Sequence, residues 1–565
     1  MNIIQRTPYR ITTLVDVEAS LTTEPLMFDT ETNGLYGPIT LAQFYQESWP
    51  EVLIVETPDV NRLIVLLHIT TVVIQNASYD ISTIQAQSGK RFIPKRFCDV
   101  LLLGRLKYYK ETSFTLDNLM LCTLGYDPYL GQDLAKKAMQ KTNWGKTDLT
   151  DDHYVYAATD VYYLPHIYHQ VKAHLEDPNY VLDIQTLRYC LDMQNEGFPV
   201  DANRRMALEM RNTMTVDEIA VPINVNSWQQ VRPYINEDES DALALARYTY
   251  QGNEKAATVN RVRKLLKQNS FLKKFKTSDG RIYGKFAPSA RSGRLTCKDQ
   301  NLQQIPRATK GVFGYHKDTP RVLIYSDFSQ LELRSAAAVI AEVRMAQLFY
   351  EGVDMHTYTQ EKMNIQHEKA RQIAKTCNFN LLYGGSAGML GSILLKDAGI
   401  LLSDRELYKL KNKWLQLWPT IAQWQQSGIN AWNNGEVWAT SLNRRYVGKM
   451  MTDQLNIAIQ GSGADVAKLA YVNIMEGIQK INLEHGSDAK MVNFIHDSFF
   501  VDAPDNPTVY KDIATLVGVS MKNSWTTMSQ HFKIKDIPMP VQVLVGKNWG
   551  VIEDEKQPNI YDINF

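Results

Sequence analysis

The chain has 565 residues, and its 61 Lys or Arg balance 61 Asp or Glu, so the net charge is zero. That length suits several domains, and the neutral balance argues against a general polyanion binder. No apolar stretch reaches the length of a membrane span, no signal peptide opens the chain, and no repeat or low-complexity tract stands out. Cys98, Cys122, Cys190, Cys297 and Cys377 show no CxxC or Cys/His metal spacing, which fits reduced thiols in a cytoplasmic protein.

In chain order, Leu26-Met27-Phe28-Asp29-Thr30-Glu31-Thr32 is the first strand with chemistry on it. A period of two puts Asp29 and Glu31 on one face, which suits a metal site but also describes an ordinary solvated face. The apolar strand Val72-Val73-Ile74 leads into Gln75-Asn76-Ala77-Ser78-Tyr79-Asp80, where Asn76 has the alternative of a plain helix cap. Tyr156 and Asp160 stand one helical turn apart, and a surface Tyr/Asp pair would look the same.

Residues 171 to about 290 read as mostly helical. From Arg261 to Lys310 there are 14 Lys or Arg and two acids, Asp279 and Asp299. Such a run is usually a solvated surface, yet here it leads into Ser292-Gly293-Arg294-Leu295-Thr296 and Gln300-Asn301-Leu302-Gln303-Gln304-Ile305-Pro306. A tract that grips a phosphate backbone is the better reading.

Val322-Leu323-Ile324-Tyr325 is a strand that ends in Asp327, followed by a polar turn and a helix-like run. Alone, Asp327 could be a helix cap. In Arg371–Tyr383, Arg371, Lys375, Phe379 and Tyr383 recur every four residues and share one helical stripe. Two cations and then two aromatics could grip a polyphosphate and stack on a base. The alternative is a plain amphipathic helix. Phe494-Ile495-His496-Asp497-Ser498-Phe499-Phe500-Val501 reads as a hairpin with His496-Asp497 at its tip, or simply as a polar turn. If Asp327 and Asp497 meet, their repulsion calls for divalent cations between them, and two such ions can activate one oxygen and stabilise another.

The segments around Asp327, Arg371–Tyr383 and Asp497 resemble motifs A, B and C of family A DNA polymerases. The resemblance implies that Asp327, Asp497 and the Phe328 carbonyl hold two Mg²⁺, with Mn²⁺ as a substitute. Arg371 and Lys375 match the phosphate-binding pair, and Lys375 is a candidate proton donor to pyrophosphate. Phe379 matches the residue on the incoming sugar and base, Tyr383 the one near the templating base, and Glu332 the residue that blocks a ribose 2′-hydroxyl. His496 joins the dNTP-binding candidates. Arg294, Asn301 and Gln303 match primer–template contacts. Asn456 and Gln460, in Asp453-Gln454-Leu455-Asn456-Ile457-Ala458-Ile459-Gln460-Gly461, match minor-groove contacts. Gly352-Val353-Asp354-Met355-His356 and Gly546-Lys547-Asn548-Trp549 also agree with the family. Ser498 stands where the family usually has Glu, and Thr452 where it commonly has Arg.

The amino-terminal motifs resemble the DEDD-type 3′–5′ exonucleases. Asp29, Glu31, Asp80 and Asp160 would then hold two Mg²⁺, and Tyr156 in place of His would mark the DEDDy subtype and orient a water. The expected fold is α/β: an RNase H-like exonuclease domain (1–170), then a right-hand polymerase. Its parts would be thumb and connecting helices (171–290), palm (291–345), fingers (346–439) and palm again (440–565). Primer–template DNA and dNTPs are the expected partners, with a helicase, primase or processivity factor as further candidates. A monomer is expected, with no membrane contact. With no room for a 5′-nuclease ahead of Asp29 and a compact thumb, the expected setting is bacteriophage replication in the host cytoplasm. A stand-alone exonuclease with a DNA-binding carboxy-terminal part, and a non-enzymatic primer–template clamp, are the competing readings. Intact Asp327, Asp497, Arg371 and Lys375 argue against both.

Overall fold

The computed structural model describes residues 6–146, 148–553 and 561–565. The chain forms two compact units. One takes the residues up to Asn195 with Phe286–Leu295 and Arg444–Val447. The other takes Glu196–Lys285, Thr296–Asn443 and Gly448–Phe565.

In the first unit, β1 (Tyr9–Thr12), β2 (Leu26–Thr32), β3 (Ile39–Tyr45), β4 (Val52–Glu56), β5 (Thr71–Ile74) and β6 (Arg96–Asp99) form one sheet in the order β1-β4-β3-β2-β5-β6. β2, β3 and β4 are antiparallel, while β1, β5 and β6 join parallel to their neighbours. Helices cover the sheet, so Leu26, Phe28, Phe44, Ile54 and Val72 are wholly buried. The helix Asp151–Tyr162 lies across β2, β3 and β4. The helix Ala77–Ser88 starts at Asn76, whose φ is +64° and whose side chain makes no cap bond among the described residues. Asp99 does that work from β6, accepting from the N–H groups of Asn76 and Ala77 at 3.1 and 3.0 Å and from Leu101 at 2.9 Å. One buried carboxylate thus caps two helices.

Two short segments far along the chain belong to this unit. Arg291 Nη1 donates to the Val447 carbonyl at 2.8 Å, and Val447 N–H to Tyr109 at 3.1 Å. Arg444 forks onto Asp183 at 2.7 and 3.0 Å, with both side chains buried.

In the second unit, β7 (Phe198–Pro199) pairs with β8 (Arg281–Ile282); β9 (Lys285–Ala287) begins on its last residue before the Phe286–Leu295 segment, and β10 (Thr296–Lys298) follows that segment in the chain. β11 (Arg321–Phe328), β12 (Lys490–Ile495), β13 (Ser498–Pro504), β14 (Val541–Gly546) and β15 (Tyr561–Asn564) make an antiparallel sheet in the order β12-β13-β11-β14-β15. The helices Ser462–His485 and Pro507–Ser529 pack on each other, and the second also on β14. Helices fill most of the chain between β11 and β12, Ala370–Leu382 among them.

Asp502 on β13 anchors this sheet. It is wholly buried and accepts from Arg321 Nε at 2.6 Å and from Arg281. Arg321 also forks onto Asp488 at 2.8 and 2.9 Å, and Arg281 reaches the Tyr315 hydroxyl at 2.6 Å. Removing the shared carboxylate leaves two cations facing a buried void. Asp502→Ala is therefore expected to cost about 3–5 kcal/mol in denaturant unfolding. A cost below about 1 kcal/mol would show that water already screens the cluster.

Candidate active sites

In the first unit, Asp29, Glu31 and Asp160 bring one carboxylate oxygen each within 4.8 Å of the others. Strand period places the first two, and the Asp151–Tyr162 helix lowers Asp160 onto the same face of β2. Asp80 is not one of the three. It lies beside them, where its charge raises both Asp29 and Glu31, and it accepts from Thr30 Oγ1 at 2.7 Å. The four expected acids therefore act on one another, with Asp29, Glu31 and Asp160 in the tightest group. Tyr156 is buried against Tyr129, with ring centroids 5.4 Å apart, and Trp144 lies 6.1 Å off.

Burial, then mutual repulsion, holds Asp29 and Glu31 well above the usual carboxylate range. Burial pushes Asp80 and Asp160 up to about 7, against hydrogen bonds from Thr30 and Tyr129 respectively. Oxygen-only donors this close suit a hard divalent cation. Tyr129 and Lys136, which flank Asp160, escaped the sequence reading. Asp127-Pro128 is a helix-start signal for the short helix Pro128–Gly131, but nothing local marks where the Tyr129 hydroxyl points.

In the second unit, the sheet register aligns Asp327 on β11 with Ser498 on β13. The β12–β13 hairpin closes through the pair Ile495 and Ser498, so His496 and Asp497 form its tip. Asp497 therefore sits one residue from the position facing Asp327. His496 is exposed and has φ +58°, a left-handed conformation that His tolerates better than most residues. Ser498 Oγ donates to Asp327 Oδ1 at 3.0 Å, so the residue in place of the usual Glu supports its neighbour's carboxylate. Burial pushes Asp327 up to about 6, opposed by the Ser498 bond and reinforced by Glu553. Glu553 had no sequence signal. Lys310 Nζ holds it at 2.7 Å from both oxygens, and Trp549 Nε1 at 2.6 Å. The half-buried Glu332 lies in the first turn of the helix Leu331–Ile340, just after β11 ends at Phe328.

Arg371, Lys375 and Phe379 lie on the Ala370–Leu382 helix, and Tyr383 caps its end. Arg371 and Lys375 are exposed and the two aromatics half-buried, so the stripe faces outward. The opposite side is fixed by a polar network. Asn378 accepts from Trp414 Nε1 at 2.8 Å and lies 3.0 Å from His356 Nδ1. Gln425 satisfies the terminal carbonyls of Leu381 and Leu382 at 2.6 and 2.9 Å. Arg371 pairs with Asp354 at 2.9 Å, and this and other bonds hold that acid down at about 2.

Gln303 Nε2 donates to the Phe494 carbonyl at 3.1 Å, which ties its segment to the Asp497 hairpin, and the exposed Asn301 accepts from Gln303 N at 3.0 Å. A π-helical turn, Ile457–Gly461, separates Asn456 from the following helix. Asn456 and Gln460 are both half-buried, and Asn456 Oδ1 has no hydrogen-bond partner among the described residues. Arg294 belongs to the first unit.

The acid cluster of the first unit makes a pH-dependent prediction. Asp80 and Asp160 titrate near 7 when folded, above their ordinary value of 3.8. Their folded-state penalty is absent below about pH 4, grows as pH rises from there to about 7, and levels off above it. Without divalent metal, the melting temperature of this unit should fall between about pH 4 and pH 7, and Mg²⁺ should restore it at neutral pH. A flat, metal-independent profile in calorimetry would contradict the placement of these acids.

Comparison with known proteins gives a family match for each part of the chain. Residues 209–551 match the model of DNA polymerase family A, and residues 6–176 that of a 3′–5′ exonuclease. The chain is 27% identical over 577 aligned residues to DNA polymerase I of Aquifex aeolicus (strain VF5), covering 93% of this chain and 95% of that one. It is 27% identical over 292 residues to the thermostable DNA polymerase I of Thermus filiformis, of which it spans 32%. The fold matches the POL domain of Pol1 from M. smegmatis, solved in complex with DNA primer-template and dNTP, with a TM-score of 0.73 at 18% identity over 94% of this chain and 97% of that one. Among the described residues no helix is long and apolar enough to cross a membrane. The chain belongs to DNA polymerase family A, an α/β DNA-directed DNA polymerase with a 3′–5′ exonuclease domain ahead of its polymerase domain.

Proposed function

We propose that Asp327 and Asp497 form the synthetic centre and that Asp29, Glu31, Asp160 and Asp80 form the proofreading centre. The observation that carries this is the β11–β13 register, which sets two acids 170 residues apart in sequence (497 − 327 = 170) at adjoining positions. Primer–template DNA and dNTPs are the substrates in this reading, the same two ligands that accompany the M. smegmatis domain in its complex. Asp327, Asp497 and the Phe328 carbonyl would hold two Mg²⁺, or Mn²⁺, which when bound make the primer 3′-oxygen a better nucleophile and neutralise the triphosphate. Arg371 and Lys375 grip the phosphates from the exposed helix face, and Lys375 can return a proton to pyrophosphate. Arg371 must leave Asp354 to do so. Phe379 and Tyr383 pack on the incoming and templating bases beside His496, and the Glu332 carboxylate occupies the space of a 2′-hydroxyl. Asn456 Oδ1, Gln460, Gln303, Asn301 and Arg294 track the duplex.

In the first unit, the clustered carboxylates would hold two further divalent ions, and the Tyr156 hydroxyl orients the attacking water. Thumb (171–290), split palm (291–345 and 440–565) and fingers (346–439) remain the proposed division of the polymerase, with 1–170 as the exonuclease. A cytoplasmic protein fits the five free cysteines, and a monomer remains the proposed state. Bacteriophage genome replication, alongside a helicase, primase or processivity factor, rests on the sequence reading, since the relatives reported above are bacterial.

Asp497→Ala should lower primer extension by more than about 100-fold, beyond the loss typical of an outer partner, while single strands are still degraded. Asp29→Ala should do the reverse. Loss of both activities by either folded variant in matched assays would contradict two separate centres. Glu332→Ala should raise ribonucleotide incorporation about 10- to 100-fold, and unchanged sugar selectivity would remove its role. Phe379 should disfavour dideoxynucleotides, so equal use of ddNTP and dNTP would count against its placement.

A further inference from the structure

We propose that Tyr129 is a positioning residue for the exonuclease carboxylates and that Lys136 acts on it through the face of its ring. This rests on reading Asp29, Glu31 and Asp160 as the metal-holding group. Tyr129 is 1% exposed, so its hydroxyl must find a partner inside the protein. That partner is Asp160, one of the three clustered acids. The bond uses Oδ1 and fixes the carboxylate's rotation, while the phenol brings no charge to compete with a cation. The same ring packs on Tyr156 at 5.4 Å, so one side chain orients both the acid and the water-directing hydroxyl.

A buried tyrosine that merely satisfied itself would need no cation on its face. Lys136 Nζ lies 4.2 Å from the Tyr129 ring centroid, and Asp117 Oδ1 holds it there at 3.0 Å. The ammonium draws electron density from the ring and makes the O–H a stronger donor. Asp117, Lys136, Tyr129 and Asp160 come from four separate helices, Leu116–Leu124, Lys136–Met139, Pro128–Gly131 and Asp151–Tyr162. The arrangement therefore depends on the tertiary fold and runs from a half-exposed carboxylate to the acid cluster.

The test uses the full chain carrying Asp327→Ala and Asp497→Ala, so that the exonuclease centre dominates Mn²⁺ binding in calorimetry. In that background Tyr129→Phe should weaken Mn²⁺ binding about 10-fold and raise the Mn²⁺ needed for half-maximal degradation of a single strand to match. Lys136→Gln should shift both in the same direction by less, and Lys136→Arg should restore them. Tyr129→Phe made alone should keep the native circular dichroism spectrum and melting profile, which report folding. Unchanged Mn²⁺ affinity in Tyr129→Phe would reduce the tyrosine to packing and overturn the proposal. If that variant fails to fold, Lys136→Gln decides, and native affinity there overturns it equally. A parent that binds Mn²⁺ no better than its Asp29→Ala derivative would overturn the metal reading itself, and this proposal with it.

Discussion

Carboxylates held close together out of water repel one another, and both centres are built around managing that cost. At an effective dielectric of about 20, two charges 4 Å apart cost about 4 kcal/mol. Asp29, Glu31 and Asp160 all lie within 4.8 Å. Strand period sets Asp29 beside Glu31, the fold brings Asp160 to them, and the buried apolar core around β2 offsets the expense. Hydrogen bonds from Thr30 to Asp80 and from Tyr129 to Asp160 hold the outer acids as acceptors and favour their charged forms. The second unit solves the same problem by spacing. Asp327 stays on the central strand, Asp497 sits on a hairpin tip, and Ser498 between them donates rather than repels.

The spacing explains why a serine can stand after Asp497. A third carboxylate at that position would face Asp327 directly across β11 and β13. The extra acid that acts on Asp327, Glu553, is itself held by Lys310 and Trp549. The same economy appears on the Ala370–Leu382 helix. Its buried side is fixed through Asn378 and Gln425, which leaves Arg371 and Lys375 exposed, with Arg371 paired to Asp354.

Much of this was legible in the sequence because it follows from local periodicity. The strand alternation of Asp29 and Glu31, the hairpin around His496-Asp497 and the four-residue stripe from Arg371 are short-range patterns, and the structure shows each of them. What was not legible depends on contacts between distant residues. Tyr129 meets Asp160 across 31 residues, and Lys310 meets Glu553 across 243. Asp99 caps a helix that begins 22 residues before it. The sequence also marked no boundary that would send 286–295 and 444–447 into the first unit, because the Arg444–Asp183 pair joins positions 261 apart. Asp80 carries a sequence signal of its own, but its bond to Thr30, 50 residues away, does not.

The central claim is that this polymerase carries two separate acid-built metal centres, one in each unit. Crystals grown with Mn²⁺, primer–template and a non-hydrolysable dNTP analogue test it most directly through the anomalous signal of the metal. Peaks are expected at the Asp327–Asp497 hairpin and at Asp29, Glu31 and Asp160. A complex with ordered DNA and nucleotide but no metal peak at either group would contradict it.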